Sequence, residues 1–307
     1  MDSYFIRKID NYDKKNKKYK YKYYTKNGKK LSFNTVKKYM NFYIPPAYEN
    51  VKINKNRNKK IQAIGYDIKN RAQYIYNNSY KKKSTKNKFS SLIEFGHNYP
   101  RILSKINKDL QSKNEKQKQI AMILKIIIDC NFRIGNEKYT RDNNSFGVST
   151  LQKKHFNIKH NQIIINFVGK KGVINKCTLK NKKIIKSIKK KHKSINKNDN
   201  IFTYGKTEKV ESTDVNNYLK QFGNYTTKNF RTWRANIQLI NLLLKYNDLK
   251  KSITIVANNL HHTPSICKKN YIDNNLLEFY NSNPKKFKIY FSGNINDKFI
   301  KFLKLNY

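Results

Sequence analysis

Acidic residues are scarce. Asp and Glu number 19 in 307 residues against 67 Lys and Arg, for a formal charge of +48. With so few carboxylates no metal-binding cluster can be read from the chain, and a compact domain of this charge is destabilised by its own repulsion unless an anion takes up the field. A polyanion, above all nucleic acid, is the partner such a field draws in. A membrane surface is the competing partner. Against it, no apolar stretch is long enough to span a bilayer, and the N-terminus lacks the charged, apolar and small-residue order of a signal peptide. The expectation is an intracellular protein with no membrane role.

Cysteine is rare too. Cys130, Cys177 and Cys267 are scattered, odd in number and without metal-ligand spacing, so they read as reduced thiols, with neither a disulfide framework nor a zinc site. No Gly-rich phosphate loop of the nucleotide-binding kind occurs. The chemistry is therefore expected to need no metal, ATP or other cofactor. Arginine is the third scarcity: Arg7, Arg57, Arg71, Arg101, Arg133, Arg141, Arg231 and Arg234 stand in a background rich in Lys, Asn, Ile and Tyr. A coding bias that turns replaceable Arg into Lys leaves Arg where a planar, bidentate fork is needed.

What is present divides into a β-rich and a helical part. Residues 1–80 carry short alternating runs and turn signals, and read as a small, mostly β domain. Ile44-Pro-Pro-Ala-Tyr48 is a rigid extended corner, because each Pro fixes its own φ and biases its predecessor away from helix. Ile61 to Tyr76 reads as two strands around an Asp-Ile-Lys-Asn turn, a half-buried ribbon from which Arg71, Gln73 and Tyr74 could reach into a DNA groove. The polar, basic residues 81–88 read as an interdomain linker, leaving 89–307 as the second domain.

In that domain Phe89 to Asp109 and Glu115 to Cys130 are predicted helices, the second with the apolar run Ile120 to Ile128 that must be buried. It leads straight into a polar turn bearing Arg133. His155 to Leu179 has strand character in three pieces, with Gly169-Lys-Lys-Gly172 as a hairpin tip. A solvated tip is the plain reading of Lys170 and Lys171 in so lysine-rich a chain. Asn181 to Asn200 reads as a Lys-heavy helix or tether, and Ser212 or Thr213 as the cap of a helix ending at Gly223. Asn229 to Leu244 is a helix with Arg231 and Arg234 on one face near its N-terminal end, where backbone N–H groups favour an anion. Thr263 with Pro264 marks the start of a helix expected to carry Tyr271, nine residues after His262. A final amphipathic helix is predicted over Asn294 to Leu305. No internal repeat is evident.

Two arginines, a lysine, an imidazole and a phenol make a chemically coherent set. The forks and the imidazole can hold the nonbridging oxygens of a phosphodiester, an ammonium can protonate a departing oxygen, and a phenol can be the nucleophile. A buried aromatic beside a capping loop is the plainer reading of His262 and Tyr271 taken alone.

The strings that carry these residues resemble the poxvirus-type and bacterial-type DNA topoisomerases of type IB. They are Ile44 to Tyr48, Gly65 to Tyr76, Lys88-Phe with Phe95-Gly96 and Pro100-Arg101-Ile, Arg133 to Tyr139, Asn144 to Gly147, Gly169 to Gly172, Asn229 to Asn236 and His262 to Tyr271, in the family's order. The resemblance implies an α+β protein: a small β-rich N-terminal domain plus a larger, mainly α catalytic domain with a three-stranded sheet, forming a C-shaped clamp on double-stranded DNA. It implies an isomerase that relaxes supercoiled duplex by transient single-strand cleavage, through a 3′-phosphotyrosyl link to Tyr271 and religation. Arg133 and Arg231 would clamp the phosphoryl oxygens, His262 would donate to one of them, and Lys170, the first Lys after Gly169, would be the general acid. Arg71, Gln73, Tyr74, Tyr76, Lys138, Tyr139 and Lys171 are the expected DNA contacts. A monomer is expected. The poxvirus-type resemblance together with the Lys- and Asn-heavy composition points to a large DNA virus, hence a cytoplasmic factory and the virion.

Two departures stand out. His261 occupies the position before the catalytic His where the family usually has Gly, and the first forty residues match poorly. A tyrosine recombinase shares a similar five-residue set, but the Ile44-Pro-Pro and Arg133-Ile-Gly-Asn-Glu strings belong to the topoisomerase side. A non-catalytic DNA-packaging protein would use the charge, yet needs neither Arg over Lys at 133 and 231 nor Tyr271.

Overall fold

A computed structural model describes residues 3–307 and falls into two compact units, divided between Lys88 and Phe89. The first unit contains β1 (Tyr4–Asp13), β2 (Lys18–Thr25), β3 (Lys30–Leu31), α1 (Phe33–Lys37), β4 (Glu49–Asn54), β5 (Ile61–Tyr66) and β6 (Ala72–Tyr76). The strands form one antiparallel sheet in the order β3-β2-β1-β4-β5-β6. Alternation places Phe5, Tyr23, Val51, Ile53 and Ala63 on a buried face, which α1 closes with Val36. Arg7 lies on that face as well. Its Nη2 donates to the carbonyls of Pro45 and Tyr48 at 3.0 and 2.9 Å, and its guanidinium sits 4.3 Å from the centre of the Tyr21 ring, so it clamps the double-proline corner. Arg7 thus owes its fork to structure, and burial holds its guanidinium below the ordinary value.

The second unit is helical around a small sheet. It begins within α2 (Asn78–Asp109), which runs unbroken through residues 81–88. The expected linker is therefore helical. Lysine is a good helix former, no Gly or Pro interrupts 78–88, and Asn77 caps the start by accepting from the Ser79 N–H at 2.8 Å. After α2 come α3 (Glu115–Cys130), α4 (Glu137–Asn143), β7 (Phe156–Ile158), β8 (Ile163–Val168), β9 (Ile174–Leu179), α5 (Lys182–Lys193), β10 (Thr203–Tyr204), β11 (Glu208–Lys209) and α6 (Ser212–Leu219). Then follow α7 (Thr227–Tyr246), α8 (Leu249–Asn259), α9 (Pro264–Asn270), α10 (Asn274–Ser282), α11 (Pro284–Tyr290) and α12 (Ile295–Asn306). β7, β8 and β9 form the three-stranded antiparallel sheet. The cap of α6 is Glu211 rather than Ser212 or Thr213, because Asp214 accepts from the Glu211 N–H at 3.0 Å.

The core of this unit is built on α3 and α7. Ile120, Ile123, Leu124, Ile126, Ile127 and Ile128 are all buried, each contributing about 1.5–3 kcal/mol relative to exposure. Trp233 of α7 packs against Phe95, Tyr99 and Phe299 with ring centroids 5.3–6.2 Å apart. It lies so close to Gly96 that a β-carbon there would enter the indole ring. No helix among the described residues is long and apolar enough to cross a membrane.

The cysteines differ from expectation. Cys130, the last residue of α3, and Cys177 of β9 form a disulfide across 47 residues of sequence, and Cys267 alone is free and buried. The pairing depends on α3 packing against β9, which spacing cannot reveal. On chain entropy alone, a loop of that length corresponds to about 4 kcal/mol.

His155 offers a test of the packing beside β7. It is buried against Phe146, and its Nδ1 accepts from the Gln152 N–H at 3.0 Å, so the ring is neutral. Burial, reinforced by Lys154, lowers its pKa from 6.5 to about 4. The unfolded chain then binds more protons between those values, and stability is lost as pH falls from 6.5 towards 4, by up to about 3 kcal/mol. His155→Asn, which keeps an acceptor but does not titrate, should flatten that part of the pH dependence in denaturant melts; an unchanged slope would refute the assignment.

Candidate active site

Four of the five expected groups converge at the end of α8. That helix closes in a Schellman arrangement: the His261 N–H donates to the Asn258 carbonyl at 3.0 Å, and the His262 N–H to the Ala257 carbonyl at 2.9 Å. His261 takes the left-handed conformation this closure requires, with φ +56°. The turn leaves the Leu260 carbonyl facing α7, where it accepts from Arg231 Nη2 at 3.0 Å. Thr263 caps α9 by accepting from the Ile266 N–H, with Pro264 at the first helical position. Tyr271, expected on that helix, is instead the cap residue just past its end, with φ −123°.

Arg133 reaches the same place from α3. The chain leaves the helix through Asn131 in the left-handed region, and the following segment is held by Val148 N–H donating to the Arg133 carbonyl at 2.9 Å and Ser149 N–H to that of Ile134 at 2.7 Å. A β-carbon on Gly147 would collide with the backbone of Gly135, so this contact needs glycine. Arg133 Nη2 donates to His262 Nε2 at 2.6 Å, and the same nitrogen lies 3.3 Å from the Tyr271 hydroxyl. An imidazole nitrogen that accepts from a guanidinium carries no proton, so in this arrangement the His262 proton is on Nδ1.

Arg231 is the most deeply buried of these four groups. It is 3% exposed, and its guanidinium lies 5.2 Å from the centre of the Tyr271 ring, itself 8% exposed. Beyond the bond to Leu260, its Nε and Nη1 are buried without a hydrogen-bond partner. Desolvation lowers its pKa from 12.5 to about 10, with Arg133 a further lowering influence. His262 is held at about 4, first by burial and then by Arg133, Arg231, His261 and Lys170, so it is neutral at physiological pH.

Lys170 is exposed at the tip between β8 and β9. Its pKa is lowered by partial desolvation and then by the charges of Arg133, Lys171 and Lys228. The tip is a short 3-10 turn with Lys171 at φ +64°. The two lysines are thus distinct: Lys170 feels Arg133, and Lys171 takes the left-handed turn. Arg234, expected beside Arg231, instead donates from Nε to the Asn131 side chain at 3.2 Å, beneath the Arg133 segment.

The expected DNA contacts are scattered. Lys138 and Tyr139 are exposed on α4. Tyr74 is half exposed and stacks on Tyr76, while Gln73, adjacent in the strand, points to the opposite face. Arg71 and Gln73 both donate to Asp67 Oδ2, at 2.6–3.0 Å, and the Arg71 contact holds the Asp67 carboxyl down at about 2.

Sequence reasoning missed Asn236. It is fully buried on α7; its Nδ2 donates to the Tyr271 carbonyl at 2.8 Å and its Oδ1 accepts from the Asp273 N–H at 2.9 Å, fixing the backbone on both sides of Ile272. The available signal was a polar residue of poor helix propensity on an otherwise apolar helical face.

Residues 77–289 match the family described as eukaryotic DNA topoisomerase I, catalytic core, and residues 20–67 match that described as bacterial DNA topoisomerase IB, N-terminal domain. The chain is 33% identical over 305 residues to the DNA topoisomerase 1B of Acanthamoeba polyphaga mimivirus, covering 92% of this chain and 89% of that one. It is 27% identical over 228 residues to the DNA topoisomerase 1B of vaccinia virus (strain Copenhagen), covering 70% and 71%. Among solved structures, the XerH site-specific recombinase bound to a palindromic difH substrate aligns at 18% identity with a TM-score of 0.41, over 72% of this chain and 59% of that one. With a family match over most of its length and a relative above 30% identity along nearly all of it, the chain belongs to the type IB DNA topoisomerases.

Proposed function

We propose that the chain relaxes supercoiled duplex DNA through Tyr271, with Arg133, Arg231, His262 and Lys170 completing the catalytic set. The observation that carries this reading is Arg231: a guanidinium 3% exposed, with Nε and Nη1 unpartnered, beside the ring of Tyr271. A buried charge left partly unpaired costs several kcal/mol, which a phosphodiester oxygen entering the site recovers. The same oxygen finds Arg133 and His262 within hydrogen-bond reach of each other.

Attack by the Tyr271 oxygen forms the bond to phosphorus and breaks the bond to the 5′ oxygen, leaving a 3′-phosphotyrosyl enzyme. The phenol releases its proton to solvent and Lys170 delivers one to the departing 5′ oxygen, so the step is proton-neutral once Lys170 is reprotonated from solvent. An ammonium weakened by desolvation and neighbouring positive charge is a better proton donor than an ordinary lysine. An anion that draws Arg133 away from His262 Nε2 leaves that nitrogen free to carry the proton and donate to a phosphoryl oxygen. Reversal of the same steps reseals the strand.

All five groups come from one chain, so a monomer suffices. Lys138, Tyr139 and Lys171 serve as duplex contacts on the second unit, and Tyr74 and Tyr76 on the first. Arg71 and Gln73 would have to exchange Asp67 for DNA. The viral relatives favour action in the cytoplasmic factory of a large DNA virus.

Relaxation of supercoiled plasmid in EDTA without ATP, followed on native and denaturing gels, tests the nucleophile: Tyr271→Phe should bind DNA but yield neither relaxation nor a protein–DNA adduct, and relaxation by this variant would remove Tyr271 from the mechanism. Arg231→Ala should slow single-turnover cleavage by about 10²–10³-fold; a rate near wild type would mean the buried fork does not meet the phosphate. Lys170→Ala should slow it by about 10²–10⁴-fold, with most of the rate regained on a substrate whose leaving oxygen is replaced by sulfur. No recovery on that substrate would assign the acid elsewhere.

A further inference from the structure

His261 departs from the usual choice at its position in the α8 cap. The residue after the C-cap of a Schellman motif lies in the left-handed region, where glycine is favoured because a β-carbon crowds the backbone. This chain places a histidine there, at φ +56°. Its side chain makes two contacts, both to the segment that delivers Arg133. The imidazole packs on Phe132 with centroids 5.1 Å apart, and its Nε2 lies 3.3 Å from the Cys130 carbonyl. A carbonyl only accepts, so Nε2 carries the proton. The next residue, His262, accepts from Arg133 itself. Two consecutive histidines therefore grip successive parts of residues 130–133.

We infer that His261 is a positioning residue for strand cleavage: its imidazole fastens the α8 cap, which bears His262 and holds Arg231 through the Leu260 carbonyl, to the segment bearing Arg133. The inference rests on the reading of the Tyr271 site given above. Both guanidiniums and the imidazole repel one another when charged, and the cap and the Arg133 segment come from elements more than a hundred residues apart in the chain. A shift of about 1 Å between such groups is enough to cost up to about 10²-fold in rate.

The test is single-turnover cleavage of duplex DNA by wild type, His261→Gly and His261→Gln, with DNA affinity and thermal midpoint measured on the same preparations. Glycine relieves the left-handed backbone, so His261→Gly should keep or raise the midpoint and bind DNA normally, yet cleave about tenfold more slowly. Glutamine keeps the strain but restores a donor of similar reach, and should regain most of the rate. Cleavage by His261→Gly at the wild-type rate would overturn the inference. So would a slower His261→Gly whose loss follows a fall in midpoint, or one that glutamine does not repair. Failure of the wild-type protein to form an adduct at Tyr271 would instead overturn the reading beneath it.

Discussion

The hydrogen bond from Arg231 to the Leu260 carbonyl is the constraint on which the site depends. A guanidinium buried in a helix-packed core must be given an acceptor, and the last turn of α8 supplies one because its carbonyls have no partners within the helix. The Schellman closure that frees Leu260 also turns the chain so that His262 follows at once and α9 starts at Thr263. α9 then returns the Tyr271 ring to face the Arg231 guanidinium, and Asn236, five residues along α7 from Arg231, binds the backbone on both sides of Ile272. The Tyr271 phenol and the buried fork are thus set by one helix and its partner's C-terminus, and Trp233 ties that helix to α2 and α12.

Electrostatics runs through the same network. Arg133, Arg231 and Lys170 lower the imidazole of His262, Arg133 lowers Arg231 and Lys170, and burial is the first cause in each case. The folded protein keeps these groups together because helix packing and backbone bonds outweigh the repulsion among them. The cluster, like the net charge of the whole chain, favours an anion. The side chains proposed as DNA contacts differ in kind: Lys138, Lys171 and Tyr139 are exposed and Tyr74 is half exposed against Tyr76, whereas Arg71 and Gln73 are held by Asp67.

The scarcity of arginine was an informative filter with two outcomes. Arg133 and Arg231 meet at Tyr271, but Arg7 serves the double-proline corner and Arg234 the Asn131 turn. Both uses need a planar fork, so residue type alone does not separate an arginine that meets Tyr271 from one that braces the backbone. The distinction lies in what the fork faces: Arg7 meets two carbonyls and leaves its Nε unpartnered, whereas Arg231 meets one carbonyl and leaves both Nε and Nη1 unpartnered.

The sequence by itself determined what local chemistry encodes. Alternation and turn residues placed β5 to β9, the Thr263-Pro264 cap placed α9, the apolar run placed α3, and the order of motifs carried the family. It did not reveal the continuity of α2 through residues 81–88, because a lysine-rich stretch composes a linker and a helix equally well and only the hydrogen-bonded backbone decides. Nor did it reveal the Cys130–Cys177 bond, the cap position of Tyr271, the grip of Asn236 or the contact of His261 with Cys130 and Phe132. Apart from the place of Tyr271 at its helix end, these depend on segments 35 to 131 residues apart being packed together, and no short-range pattern records which distant partner a side chain will meet.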